Sequence, residues 1–203
     1  MTDPTTPAGE GAAAGQGREI LQRGRYFDEL EVGDRYLHRP GRTATEADDV
    51  QFTTLTMNGQ PLHLDAAWAA TQPFGRRLMN SMWTLSTLVG LSTWQVTLGT
   101  LVANLGFEKV TFPAPVFHGD TVYAETNVLA KRASASRPGQ GIVTLEHVGR
   151  NQDDVVVARA VRNGLFWTRA AHEAAEAEAG PVQGRAAQGP AGPDDVPDAG
   201  DQW

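Results

Sequence analysis

The stretch Asn58–Asp65, NGQPLHLD, contains the residue types that acid-base chemistry needs. The unperturbed pKa of imidazole is roughly 6.5, so His63 can both take and give a proton near neutral pH. Asn58 precedes it in a Gly- and Pro-bearing loop, and a loop that doubles back would bring amide and imidazole to one cavity. An amide can orient a water but cannot take its proton. The pattern predicts His63 as the acid-base group and Asn58 as the water holder, against the alternative of a histidine that only completes a turn.

The residues around this stretch predict the helices that hold it. Thr45 and the acidic residues that follow it are typical of a helix start, because the helix dipole favours negative charge in the first turn. We expect a helix over 46–56, ended by the turn signal Asn58-Gly59. After the loop, AAWAATQ predicts a short helix. RRLMNSMWTLSTLVGLSTWQV predicts a longer helix that is apolar on nearly every side and therefore buried.

The second half of the chain changes to strand patterns. A short strand is expected over 35–40, and four later segments are rich in Val, Thr, Leu and aromatic residues, namely 100–112, 120–134, 141–152 and 154–169. Consecutive strands of this kind favour an antiparallel sheet. One early strand, a buried helix and a run of strands predict an α+β fold in which a curved sheet wraps around a central helix. Open sheet edges predict a homodimer that continues the sheet.

Composition divides the chain into one domain and two tails. Residues 1–24 and 171–203 are rich in Ala, Gly, Pro and acidic residues, so we expect disordered tails around a single domain over 25–170, although AAHEAAEAEA could extend a helix. Residues 171–203 carry seven acidic residues against Arg185, whereas acidic and basic residues balance in the domain. This balance does not fit a nucleic-acid-binding face. The absence of cysteine excludes a thiolate nucleophile and Cys-ligated metals, and the histidines lack metal-ligand spacing.

The amino terminus and the longest uncharged run indicate where in the cell the protein is expected. MTDPTTPAGEGAAAGQGRE has no basic start followed by an apolar stretch, so no secretory signal is expected. Residues 78–107 exceed the roughly 20 residues that a membrane span needs. Polar side chains such as Asn80, Gln95 and Asn104 would, however, need partners in lipid. We therefore expect a cytoplasmic protein that does not contact a membrane.

Three stretches, in order along the chain, resemble a known family. TMNGQPLHLDAAWAA is similar to the hydratase motif of the MaoC-like (R)-specific enoyl-CoA hydratases, in which Asp, any residue, Asn, Pro, Leu or Ile and His precede a short helix. FGRRLMNSMWTL is similar to the start of the family's central helix, and FPAPVFHGDTVYAETNVL is similar to its PV-x-x-GD strand pair. The resemblance covers about residues 26–169. It implies the hot-dog fold, in agreement with the sheet around a helix predicted above.

The resemblance also implies a dimeric enzyme that adds water across the 2,3 double bond of an acyl-CoA thioester, with no metal or redox cofactor. By position the catalytic His is His63, the catalytic Asp falls on Asn58, and the Asn before Pro falls on Gln60. The Gly whose backbone N–H donates a hydrogen bond to the thioester oxygen falls on Ser81. An amide at position 58 removes one candidate base, and general bases contribute typically about 10²- to 10⁴-fold. The oxyanion contact survives at Ser81, because any non-proline residue supplies a main-chain N–H.

The first motif, with Asn before the His, is more similar to the branch of the mesaconyl-CoA hydratases, also called β-methylmalyl-CoA dehydratases. That branch implies a short, branched acyl-CoA that carries a second carboxylate. Asn58 would then be a variation of the active site. His63 would remove a proton from a water held by Asn58, and the hydroxyl would add at C3. A proton would return to C2 from His63 or from the same water site.

Further residues could contact such a substrate, and each has a structural alternative. Arg76 and Arg77 precede the central helix and could meet a substrate carboxylate, although a solvated pair is favoured. Asn80 could bind substrate through its amide or cap the helix. The loop over 131–141 carries three cations, Arg137 among them, that could contact CoA phosphates or serve only surface solubility. His118, at a strand-turn junction, is expected to be structural.

Two alternatives to the hydratase stay open. A thioesterase of the same fold would direct a carboxylate or an activated water at the carbonyl carbon, and the loop His following a polar group favours the hydratase over it. A weakly catalytic acyl-CoA-binding subunit belongs to a different class and is kept open by Asn58. Release of free CoA would indicate the thioesterase, and activity that persists in His63→Ala would contradict the assigned role of His63.

Overall fold

The computed structural model describes residues 20–180, and the predictions for residues 1–19 and 181–203 lie outside that range. A 3-10 turn precedes the first strand, and the helices that follow the strand lie before the main part of the sheet. The elements of this first half are β1 (Arg35–Thr43), α1 (Glu46–Leu55), α2 (Pro61–Leu64), α3 (Ala66–Ala70) and α4 (Ser81–Ser92). A π-helical turn, Thr93–Thr97, extends α4.

Four long strands complete the sheet, and they confirm the strand predictions. Their bounds are β2 (Leu101–Thr111), β3 (Thr121–Ala133), β4 (Gln140–Arg150) and β5 (Val156–Trp167). The order is β1-β3-β4-β5-β2, and every neighbouring pair is antiparallel. The sheet wraps around α4, so the α+β hot-dog architecture expected from the sequence is confirmed. β1 and β2 are the two edges of this sheet.

Helix α4 packs against the concave face of the sheet by one side. Its buried residues are Trp83, Thr84, Leu88 and Ser92, and Leu88 packs with small residues of β3 and β5. Met82 is 45% exposed, and the helix positions one and two turns after it are exposed as well. The expectation of a central helix buried against the sheet is therefore confirmed, while one stripe of α4, which begins at Met82, is exposed.

A fifth helix, α5 (Arg169–Ala179), follows the last strand. Thr168 caps it, Arg169 pairs with Glu29, and the hydroxyl of Tyr26 lies 3.1 Å from Nδ1 of His172. Helix α5 therefore spans the boundary expected at residue 170 and contacts the 3-10 turn at the start of the domain. Within residues 20–180, no helix combines the length and the apolar character that a membrane crossing requires.

Candidate active site

Helix α2 places His63 beside the start of α4. Pro61 opens α2, where a fixed φ suits the first helical position and no N–H partner is needed. Nδ1 of His63 lies 2.9 Å from the carbonyl oxygen of Leu78. Because a carbonyl only accepts, Nδ1 carries the proton of the neutral ring. Nε2 has no hydrogen-bond partner among residues 20–180, so it is available as the basic nitrogen.

His63 lines a cavity of about 450 Å³ with mostly apolar walls. The walls come from the segment between α2 and α4 and from residues 112–116, which follow β2. The polar residues that line the cavity are His63, Ser81 and Thr84. An apolar cavity with a few convergent polar groups is typical of a small-molecule site. In the described part of the chain, no three acidic or histidine side chains are grouped closely enough to hold a metal ion.

Ser81 is the first residue of α4 and lies in the wall of the same cavity. Its backbone N–H makes no hydrogen bond within residues 20–180, whereas the N–H of Met82 donates to Oδ1 of Asn80 at 2.9 Å. A free N–H at the N-terminus of a helix adds to the positive end of the helix dipole and can stabilise an oxyanion. The structure thus brings together His63 and Ser81.

Asn80 belongs to the framework of the cavity. It is 2% exposed, and while its Oδ1 caps α4, its Nδ2 donates to Oγ1 of Thr53 at 3.2 Å. Its backbone N–H donates to Oδ1 of Asp49 at 2.9 Å. Both ends of the amide are therefore bonded inside the protein. This geometry supports the capping alternative for Asn80 over the expected contact of its amide with substrate.

Asp49 is a residue of the site that the sequence analysis did not single out. Its carboxylate is fully buried, accepts the backbone N–H of Asn80, and lies 2.9 Å from Nε2 of His118. Burial of a carboxylate without such donors would be costly. Asp49 thereby joins α1, the start of α4 and the turn before β3. In the sequence it looks like an ordinary acidic residue of a first helical turn, and only its partners in space distinguish it.

Asn58 and Gln60 lie on the loop before α2, outside the cavity wall. Asn58 is half-buried, and its Oδ1 accepts the backbone N–H of Gln60 at 3.1 Å. Gln60 is exposed and makes no side-chain cap with α2. The structure therefore places Asn58 as a brace of the loop that carries His63. Neither amide lines the cavity with His63.

The arginines named from the sequence lie in two other depressions. Arg76 stacks on Phe117, and Arg77 pairs with Glu46. Both arginines line a small pocket of about 250 Å³ that adjoins the turn before α4. Arg137 is exposed on the loop between β3 and β4 and lines a groove of about 460 Å³. That groove shares no lining residue with the His63 cavity.

Comparisons with known proteins agree with this architecture. A mesaconyl-CoA hydratase from Haloarcula marismortui is 29% identical over 136 residues, which cover 66% of this chain and 37% of that protein. An (R)-specific enoyl-CoA hydratase from Aeromonas caviae is 38% identical over 103 residues, which cover 51% of this chain and 74% of that protein. A Mycobacterium tuberculosis protein with a double hot-dog fold matches with a TM-score of 0.66 at 26% identity, covering 73% of this chain and 46% of that chain.

The length of sequence that each match covers decides whether it establishes the family of this chain. The chain spans 33% to 55% of the length of four curated relatives. The model of the family described as MaoC like domain matches residues 28–151, which is more than half of the 203 residues. That range runs from the 3-10 turn through α4 to the end of β4 and includes His63 and Ser81. The chain therefore belongs to the MaoC-like domain family.

Proposed function

We propose that this domain catalyses the reversible hydration of the 2,3 double bond of an enoyl-CoA thioester, with His63 as the acid-base group. One observation carries the proposal: the free Nε2 of His63 and the free N–H of Ser81 belong to residues of one mostly apolar cavity. Hydration needs a base for the water and a donor for the thioester oxygen, which becomes negative as hydroxide adds at C3. Relatives named as hydratases support the same reaction class.

The proposed reaction starts with the thioester oxygen against the N–H of Ser81. Nε2 of His63 takes a proton from water, the oxygen of that water bonds to C3, and the double-bond electrons move to the thioester oxygen as an enolate. The N–H and the dipole of α4 stabilise that charge. The imidazolium then returns its proton to C2, which leaves His63 neutral and one water added. Its bond to the Leu78 carbonyl holds the ring in the required tautomer.

The proposed substrate is a short, branched or dicarboxylic enoyl-CoA of the mesaconyl-CoA kind. Support comes from the mesaconyl-CoA hydratases among the relatives and from Asn58 at the position of the family's Asp. We propose that Asn58 holds the attacking water; because it lies outside the cavity wall, this role requires the loop before α2 to turn Nδ2, which has no partner within residues 20–180, toward Nε2 of His63 when substrate binds. CoA is part of this substrate, so the proposal requires no cofactor.

The proposed assembly is a homodimer that pairs an open edge of the sheet. β1 and β2 leave unpaired backbone donors and acceptors at the two edges, and pairing with a second copy would satisfy one of these rows. Arg137, which lines the same groove as Leu105 of the edge strand β2, is proposed to contact a CoA phosphate. Measurement of the solution mass tests the dimer, and a monomer at assay concentration would contradict it.

The hydratase proposal is tested with crotonyl-CoA and mesaconyl-CoA, by following the absorbance of the conjugated thioester. We expect the wild type to consume it and His63→Ala to lower kcat by about 10²- to 10⁴-fold. His172→Ala is the matched control, because His172 lies on α5 against Tyr26 and should leave kcat unchanged. Release of free CoA without hydrated thioester would indicate a thioesterase and overturn the proposal.

A further inference from the structure

A second, smaller pocket adjoins the His63 cavity and is lined with cations. Its volume is about 250 Å³. Phe74 lies in the wall of the His63 cavity, and the next two residues of the chain, Gly75 and Arg76, lie in the wall of the small pocket. The Phe74 ring packs edge-on against Phe117, with centroids 6.5 Å apart. The complete lining of the small pocket is Ala66, Gly75, Arg76, Arg77 and His118.

Gly75 is the residue at which the chain passes from the wall of one cavity to the wall of the other. Its φ is +67°, in the left-handed region that glycine adopts without the strain of a side chain. The chain turns there, with Gly75 N–H donating to the carbonyl of Gln72 at 2.9 Å. A ligand that fills the His63 cavity therefore lies next to the pocket of Arg76.

Arg76 is the cation of this pocket that has no acidic partner within residues 20–180. Arg77 pairs with Glu46, and Nε2 of His118 contacts the buried carboxylate of Asp49. Arg76 instead lies over the ring of Phe117, with its guanidinium carbon 3.7 Å from the ring centroid. Stacking fixes the plane of a guanidinium and leaves its N–H donors, which lie in that plane, free for a ligand.

The charges around the pocket leave a net positive field at Arg76. Glu46 is directed at Arg77 and Asp49 at His118, so neither acid offsets the charge of Arg76. Arg77 is held mostly buried, with a side-chain exposure of 16%, so its position is fixed beside Arg76. A planar, stacked guanidinium matches the geometry of a carboxylate or phosphate, each of which can accept two parallel N–H bonds.

We propose that the pocket of Arg76, Arg77 and His118 is an anion subsite for the thioester substrate whose reacting carbons lie in the His63 cavity. The identity of the substrate rests on the hydratase function proposed above. Two of its groups share the required chemistry: the second carboxylate of a dicarboxylic acyl chain and a phosphate of CoA. Arg76 contacts the anion directly, and Phe117 holds the guanidinium in place.

Three thioesters separate the two sources: mesaconyl-CoA, crotonyl-CoA and crotonyl-pantetheine, which lacks the nucleotide phosphates. Loss of one charge-assisted contact in Arg76→Gln should raise KM by about tenfold, with little change in kcat. A rise for mesaconyl-CoA alone places the acyl carboxylate in the pocket. A rise for both CoA thioesters and none for crotonyl-pantetheine places a phosphate there. Arg76→Lys should raise KM less than Arg76→Gln does, because lysine keeps the positive charge but lacks the planar guanidinium.

Arg159→Gln is the matched control, since Arg159 pairs with Glu146 on β4 and lines neither cavity. Equal KM values in the wild type, Arg76→Gln and Arg159→Gln for all three thioesters would overturn the subsite. Calorimetric titration with CoA and with mesaconyl-CoA provides a readout that needs no turnover. Tight binding that Arg76→Gln weakens, in a protein that hydrates nothing, would uphold the subsite and refute the hydratase. If the protein hydrates the thioester and Arg76→Gln leaves the Kd values unchanged, the hydratase is upheld and the subsite is refuted.

Discussion

A buried chain of hydrogen bonds predicts that mild acid destabilises this protein. The chain crosses the concave face of the sheet: Arg162 Nε donates to His147 Nε2 at 2.8 Å, and His147 Nδ1 lies 2.8 Å from Thr126 Oγ1. Thr126 Oγ1 lies 2.8 Å from His38 Nε2, whose ring meets Gln95 at 2.9 Å. Arginine only donates, so His147 Nε2 must be unprotonated. A second proton on His147 would place an N–H at Nε2 facing the Nε–H of Arg162, so that neither group could accept.

The size of the effect follows from the pKa of His147. Burial, and then the charge of Arg162, lowers this pKa from 6.5 to about 3. As the pH falls below 6.5, the unfolded chain binds a proton that the folded protein does not, so stability falls until the pH nears 3. Between pH 7 and pH 5 the loss from His147 is about 2 kcal/mol. This figure is insensitive to the exact folded pKa, because His147 is neutral in the folded protein at pH 5. Burial lowers the pKa of His38 as well, which adds to the fall.

Urea unfolding at pH 7, 6 and 5 and at fixed protein concentration measures the loss. His147→Gln keeps an acceptor for Arg162 and removes the titrating ring, so about 2 kcal/mol of the fall should disappear. Val143→Ala, at a fully buried position of the same strand, should lower stability at every pH and keep the wild-type slope. Glu29, whose pKa the bond to Arg23 lowers to about 2, loses its contribution only between pH 4.5 and 2. Identical slopes for the wild type and His147→Gln would refute the reasoning.

Substitutions at four positions test the site and its framework. Asn80→Ala removes the cap of α4 and should cost about 0.5–2 kcal/mol in urea unfolding; unchanged stability would argue for a substrate role instead. Asp49→Asn should lower the free energy of unfolding by about 1–3 kcal/mol, because an amide lacks the negative charge of the carboxylate that accepts from Asn80 and contacts His118. Unchanged stability would show that the carboxylate is dispensable. Leu88→Ala should cost about 2–5 kcal/mol, with Leu88→Met as the smaller, volume-conserving change. Asn58→Ala should lower kcat less than His63→Ala does, because it removes the proposed holder of the water and leaves the base, and an unchanged kcat would refute the role proposed for Asn58.

Local patterns in the sequence were enough to predict the strands, α1 and α3 and to single out His63, but not α2 or the start of α4 at Ser81. Four strand segments with turns between them, and the acidic start of α1 after Thr45, depend on side-chain alternation and on capping within a few residues. The loop motif around His63 is equally local. Such signals can be read from the sequence because the residues that produce them are neighbours in the chain.

Partners distant in the chain were decided only by the tertiary structure. Asp49 meets Asn80 across 31 positions and His118 across 69, and no periodicity relates those residues. The one-sided burial of α4 likewise depends on which face the sheet reaches, since its sequence is apolar on nearly all faces. His63 was identifiable from its loop, but its tautomer depends on the Leu78 carbonyl, which lies 15 positions away and reaches Nδ1 only in the folded chain.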